Sequence, residues 1–109
     1  MKTDLPYLGH IADSIAAIEN YVAGGRDAFI HERLIQDAVI RNFEVIGEAA
    51  NRLSPAARHQ AEVSWRKVIA FRNRLIHGYD SVDFEILWQI VNHDLPSLIV
   101  ALEQIVSSA

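Results

Sequence analysis

Apolar residues recur at intervals of three and four along nearly the whole chain, the spacing that puts them on one face of an α-helix. Leu8, Ile11, Ile15, Ile18 and Val22 form the first such face, and Gly24-Gly25 ends it. The next stretch predicts a helix from about Asp27 to Leu53. Ile35, Val39, Ile46, Ala49 and Leu53 lie on its apolar side, and Asp37, Arg41, Glu44, Glu48 and Arg52 on the other. Ser54-Pro55 has the form of an N-cap followed by proline at the first helical position, opening a short helix to about Gln60. Ser64 caps a further helix from Trp65 to about Ile76, and Ser81 a last one in which Phe84, Leu87, Trp88, Val91, Leu95, Leu98, Leu102 and Ile105 hold a near-heptad beat. Pro96 interrupts that run and predicts a kink, because proline has no amide proton and crowds the preceding turn. No alternating strand pattern is present. The expectation is an all-α antiparallel bundle of four to five helices in a single domain spanning residues 1–109.

Composition narrows the function. Fourteen acidic residues against ten basic ones leave a formal charge of −4. Such a balance argues against specific binding of long duplex DNA through the overall field, while leaving room for a local basic site. The absence of cysteine removes thiol nucleophiles, disulfides and thiolate metal sites. No histidine follows a glutamate by three residues, so the carboxylate-histidine pattern of bundle metal sites is missing and no metal or cofactor is expected. Asp4, His10, Asp13 and Glu19 break up the first twenty residues, which predicts neither a signal peptide nor a membrane span, hence a cytoplasmic protein.

The charge is unevenly placed. From Val63 to Tyr79 there is no acid, yet Arg66, Lys67, Arg72 and Arg74 fall there; beyond Asp80 there is no Lys or Arg. On a helical projection, Trp65, Val68, Ile69, Phe71, Leu75 and Ile76 make an apolar arc with Arg72 near its middle, and Lys67 and Arg74 point away. A guanidinium in that position has to be paired, with a carboxylate such as Glu44 or Glu48, or has to face a cleft. Asn73 and His77 share a face beside it. The remaining histidines, His10, His31, His59 and His93, read as ordinary surface or interface residues.

Arg72-x4-His77-x-Tyr79 resembles the motif of the HEPN superfamily, in the form found in HepT-like toxins of HEPN/MNT toxin–antitoxin pairs. The resemblance extends to Asp37–Ala50 with its Ile46-Gly47-Glu48-Ala49 core, to the lead-in Trp65–Asn73, and to Asp83–Trp88 through Asp94-Leu95-Pro96. It implies a homodimer whose paired motifs line a shared cleft, and a metal-independent endoribonuclease acting on RNA, the toxin of a type VII-like system. Arg72, Asn73 and His77 then hold the catalytic positions, Glu44 and Glu48 balance charge, and Arg66, Lys67 and Arg74 contact RNA. Asn73 would orient His77 or hold a phosphate oxygen. Tyr79 is the residue that a cognate minimal nucleotidyltransferase antitoxin adenylylates. The competing expectation is a non-catalytic helical module that binds and regulates a nucleotidyltransferase.

Overall fold

The computed structural model describes residues 2–60, 65–78 and 82–108, with the backbone alone for Lys2, Ile76, His77 and Ser108. After a 3-10 turn at Lys2–Asp4 come six helices: α1 (Leu5–Tyr21), α2 (Arg26–His31), α3 (Arg33–Asn51), α4 (Pro55–Arg58), α5 (Trp65–His77) and α6 (Phe84–Ser108). Among the described residues there is no strand. The all-α bundle is as the periodicity predicts, with six helices among the described residues. The long α3 lies at its centre, packed against α1 on one side and α5 on the other.

The expected continuous helix from Asp27 to Leu53 is two helices. Glu32 adopts an extended conformation (φ −109°, ψ 110°) between α2 and α3. No glycine or proline marks the break; a buried side chain completes it. Gln36 Nε2 donates to the carbonyls of Phe29 (3.0 Å) and Ile30 (2.9 Å), two acceptors left over where α2 stops. The bend lets Phe29 sit fully buried against Phe84 and Trp88 of α6, with ring centroids 6.4 and 5.4 Å away. Arg26 pairs with Glu85 across the same junction. Upstream, Gly25 has φ +93°, a conformation that side chains with a Cβ avoid, so the glycine pair ends α1 as expected.

A second polar device closes the opposite end of the bundle. Ser54 caps α4 as predicted, its Oγ accepting from Ala57 N–H at 3.2 Å. The buried Asp4 carboxylate accepts from both the backbone N–H and the Oγ–H of Ser54, each at 2.7 Å. Arg58 Nη2 donates to the last carbonyls of α3, at Ala50 (3.1 Å) and Asn51 (2.8 Å), and Trp65 Nε1 donates to Arg58 O (3.1 Å). These bonds join the start of α1, the end of α3 and the start of α5.

The expected caps Ser64 and Ser81 lie outside the described residues. The side chain seen capping α6 is Asp83, whose Oδ1 accepts from Glu85 N–H at 2.9 Å. α6 continues through Pro96 without interruption. The core is one cluster in which Ile11, Ile18, Val39, Ile46, Leu75, Leu87 and Ile105 are almost wholly buried. Among the described residues no helix is long and apolar enough to cross a membrane.

Candidate functional site

α3 and α5 approach closely at Gly47. A Cβ placed on Gly47 would lie 2.1 Å from Arg72 Cβ and 2.6 Å from its Cγ, so the stem of Arg72 occupies the space that any larger residue would need. This contact brings the next residue of α3 to the arginine head. Arg72 Nη2 donates to Glu48 Oε2 at 2.6 Å, and Nη1 donates to Asn73 Oδ1 at 2.7 Å. The Arg72 side chain is 25% exposed. Its Nε is buried with no hydrogen-bond partner among the described residues. A half-buried guanidinium is costly unless a carboxylate sits beside it, and Glu48 supplies that carboxylate.

Glu48 serves two cations. Its other oxygen, Oε1, accepts from Arg52 Nε at 3.0 Å. Glu48 raises the pKa of Arg52 above its usual range, and the neighbouring Tyr7 hydroxyl adds to the effect. The trio of Arg52, Glu48 and Arg72 therefore carries one net positive charge.

The cluster lines an open groove of about 530 Å³. Tyr7 and His10 of α1 form one wall; Arg41, Glu44, Val45, Glu48, Ala49 and Arg52 line it from α3 and its C-terminal end, and Arg72 from α5. Three guanidiniums face two carboxylates there, in a chain whose formal charge is −4. A fixed fork of N–H donors at an open groove is suited to holding the oxygens of a phosphate diester.

Several expectations meet the structure here. Of the two carboxylates offered as partners for Arg72, Glu48 is the one that pairs with it; Glu44 faces Arg41 at 3.8 Å. Asn73, expected to orient His77 or hold a phosphate oxygen, accepts a hydrogen bond from Arg72 at its Oδ1; the His77 side chain lies outside what the structure describes. The backbone of His77 ends α5, and Gly78 N–H closes the turn on Arg74 O at 2.8 Å. Tyr79 lies outside the described residues. Arg66, Lys67 and Arg74 are exposed on α5, and none of them lines the Arg72 groove. Lys67 belongs to a different cleft, of about 370 Å³, formed with Phe43, Ile46, Val68, Phe71 and α6 residues that include Asp94.

Tyr7, His10 and Gly47 gain roles that periodicity alone did not assign. The aromatic pair at i and i+3 on α1 was the available signal for the first two. For Gly47 it was a glycine inside an otherwise strong helix, which points to a close packing contact. Among the described residues no group of three or more His, Asp or Glu side chains could hold a metal ion.

Residues 11–105 match the ribonuclease HepT-like family. The chain is 38% identical over 94 residues to the "Probable ribonuclease HepT" of Thermococcus cleftensis, covering 84% of this chain and 86% of that protein. It is 32% identical over 100 residues to a "Putative RNase" of Caldanaerobacter subterraneus subsp. tengcongensis, covering 90% and 89%. A Methanocaldococcus jannaschii protein named "Gamma-glutamylcyclotransferase and putative RNase" is 38% identical over 101 residues, which span 90% of this chain and 46% of that longer protein. No solved structure matches.

Proposed function

We propose, from the premise that this chain belongs to the HepT-like ribonuclease family, that it is a metal-independent endoribonuclease and the toxin of a toxin–antitoxin pair, with its cleavage centre at Arg72 and His77. The observation that carries this reading is the Arg72 guanidinium, held by Glu48 and Asn73 at an open groove rather than sealed in the core. The reaction is transphosphorylation. A ribose 2′-hydroxyl attacks the adjacent phosphorus, the bond to the 5′-oxygen breaks, and a 2′,3′-cyclic phosphate and a 5′-hydroxyl remain. One group must take the proton of the attacking hydroxyl and another must protonate the leaving oxygen.

Histidine titrates in the range that suits both transfers, but one imidazole cannot serve as base and acid at once. A homodimer that brings two copies of His77 and Arg72 to one cleft meets that need. Arg72 stabilises the charge that builds on the phosphate oxygens. Glu48 and Asn73 are positioning residues that hold the fork in place, and Arg66, Lys67 and Arg74 extend contact along the RNA. Tyr79 is the control point. Its phenol oxygen attacks the α-phosphorus of ATP on a nucleotidyltransferase antitoxin, pyrophosphate leaves, and the new phosphodiester adds negative charge and bulk that disfavour RNA.

The test is RNA cleavage in EDTA by the parent, Arg72→Ala and His77→Ala. Loss of about 100-fold or more in each folded variant is expected, the size typical of removing a general acid–base group or a transition-state donor. Full cleavage by both variants overturns the assignment. Absence of cleavage by the parent on any RNA favours the alternative, a helical module that docks a nucleotidyltransferase and in which the Arg72–Glu48 pair is structural.

A further inference from the structure

The Arg72 groove contains more than the motif needs. Its α1 wall is Tyr7, half-buried with its ring resting on the core, and His10, exposed one turn later. The two rings meet edge to face, with centroids 6.1 Å apart and planes at 84°. Burial accounts for the inner edge of Tyr7. It does not account for an aromatic corner open to the groove, because His10 is exposed.

The opposite wall carries Arg41 and Arg52, with side chains 73% and 57% exposed. They lie about 16 Å apart along the axis of α3, more than one phosphate spacing of a nucleic-acid strand. Arg52 shares the Glu48 carboxylate with Arg72, so the polar track runs unbroken from the aromatic corner to the proposed cleavage centre.

We infer that Tyr7 and His10 form a base-stacking platform that, with Arg41 and Arg52, seats the single-stranded RNA next to the phosphate held by Arg72. Aromatic faces beside exposed guanidiniums match an unpaired nucleotide: the ring stacks on the base and the arginines reach the backbone. A paired base has its faces covered by its neighbours and offers the platform nothing. A groove of about 530 Å³ lies within the range, about 300–1,000 Å³, of pockets that enclose small molecules of nucleotide size. The inference rests on the reading of Arg72 as the phosphate-holding group, and it assigns the substrate class of that site as unpaired RNA.

The experiment separates seating from cutting. Binding to the full chain is followed by fluorescence anisotropy with a labelled, short single-stranded oligoribonucleotide of mixed sequence. Each 2′-hydroxyl of the probe is methylated, which removes the attacking group. Tyr7→Ala and His10→Ala should each weaken binding by about tenfold, the scale of losing one stacked base, while Tyr7→Phe, which keeps the ring and loses only the hydroxyl beside Arg52, weakens it less than Tyr7→Ala does. With unmodified RNA the same two alanine variants should raise KM and leave kcat in place. Parent-like Kd and KM in both, with melting transitions intact, overturn the platform, as does a parent that fails to bind the probe. If Tyr7→Ala does not fold, the exposed His10→Ala decides. Clean binding results beside a parent that cuts no RNA would remove the cleavage reading and leave the platform standing.

Discussion

α5 borders two different openings. At one, Arg72 meets Glu48 in a groove edged by Tyr7, His10, Arg41 and Arg52. At the other, Val68 and Phe71 meet Phe43, Ile46, Ile90 and Leu95 in a cleft that is apolar apart from its rim. Both openings are bordered by α3 and α5, the first together with α1 and the second with α6, and helical backbone alone does not set their chemistry. The side chains do. A polar groove with paired guanidiniums can exchange an internal carboxylate for a phosphate, whereas an apolar cleft gains only by covering hydrocarbon. The Arg72–Glu48 pair and the apolar cleft are thus carried by neighbouring strips of a thirteen-residue helix, Arg72 lying one turn from Val68.

That separation is breakable by substitution. The largest expected effect on stability lies on the apolar side. Phe43 is 7% exposed and meets Phe71 edge to face at 5.4 Å, so Phe43→Ala should cost about 3–5 kcal/mol, read as a lowered urea midpoint. Cleavage should fall only with the folded fraction. Arg72→Ala is the mirror case, with an activity loss equivalent to about 3–4 kcal/mol in the barrier and a smaller shift in the midpoint. If the two variants lose stability equally, the distinction between the two openings fails.

Gly47→Ala comes next and should damage both properties. The added methyl collides with the Arg72 stem, an overpacking cost of about 1–3 kcal/mol, and displaces the fork from Glu48. Glu48→Gln should be gentler, keeping the shape of the side chain while removing the charge that holds Arg72. Cleavage should drop about tenfold, a change of roughly 1.4 kcal/mol, with the melting temperature within a few degrees of the parent. Unchanged kcat in Glu48→Gln would deny it a positioning role.

The smallest effect comes from a carboxylate that lines neither opening. The Ser54 N–H holds the Asp4 carboxyl below its ordinary value of 3.8, and the Ser54 hydroxyl assists against the opposing effect of burial. A depressed folded pKa means the contribution is fully present above the unfolded value and is lost as pH falls through the folded one. Unfolding followed from pH 6 down to pH 2 should therefore steepen below about pH 4 in the parent, and less so in Asp4→Asn. Identical pH profiles would remove Asp4 from the account.

Much of this architecture was legible as pattern. The apolar faces of α1, α5 and α6, the glycine stop after α1 and the Ser54 cap all depend on residues within a few positions of one another. Local spacing is enough to reveal such features. The position of Arg72 inside an apolar arc was readable in the same way, and it announced a paired or cleft-facing guanidinium before any partner was known. The break at Glu32 was not readable, because its cause is Gln36 reaching back to carbonyls in a segment that looks helical throughout. The choice of Glu48 over Glu44 was equally hidden. Both lie on the polar side of α3, and only the approach at Gly47 brings one of them to Arg72.

Periodicity by itself determined that the chain makes an all-α bundle, and the ordered motif residues pointed to its ribonuclease family. Both are properties of the one-dimensional order of apolar and functional positions. The tertiary structure decided which carboxylate holds Arg72, that Asn73 leans on the arginine, and that Tyr7 and His10 border the same groove. Those pairings join residues from separate helices or depend on a packed rotamer. Their geometry is set by how closely α1, α3 and α5 can approach, a distance that side-chain volume fixes only once the helices are packed.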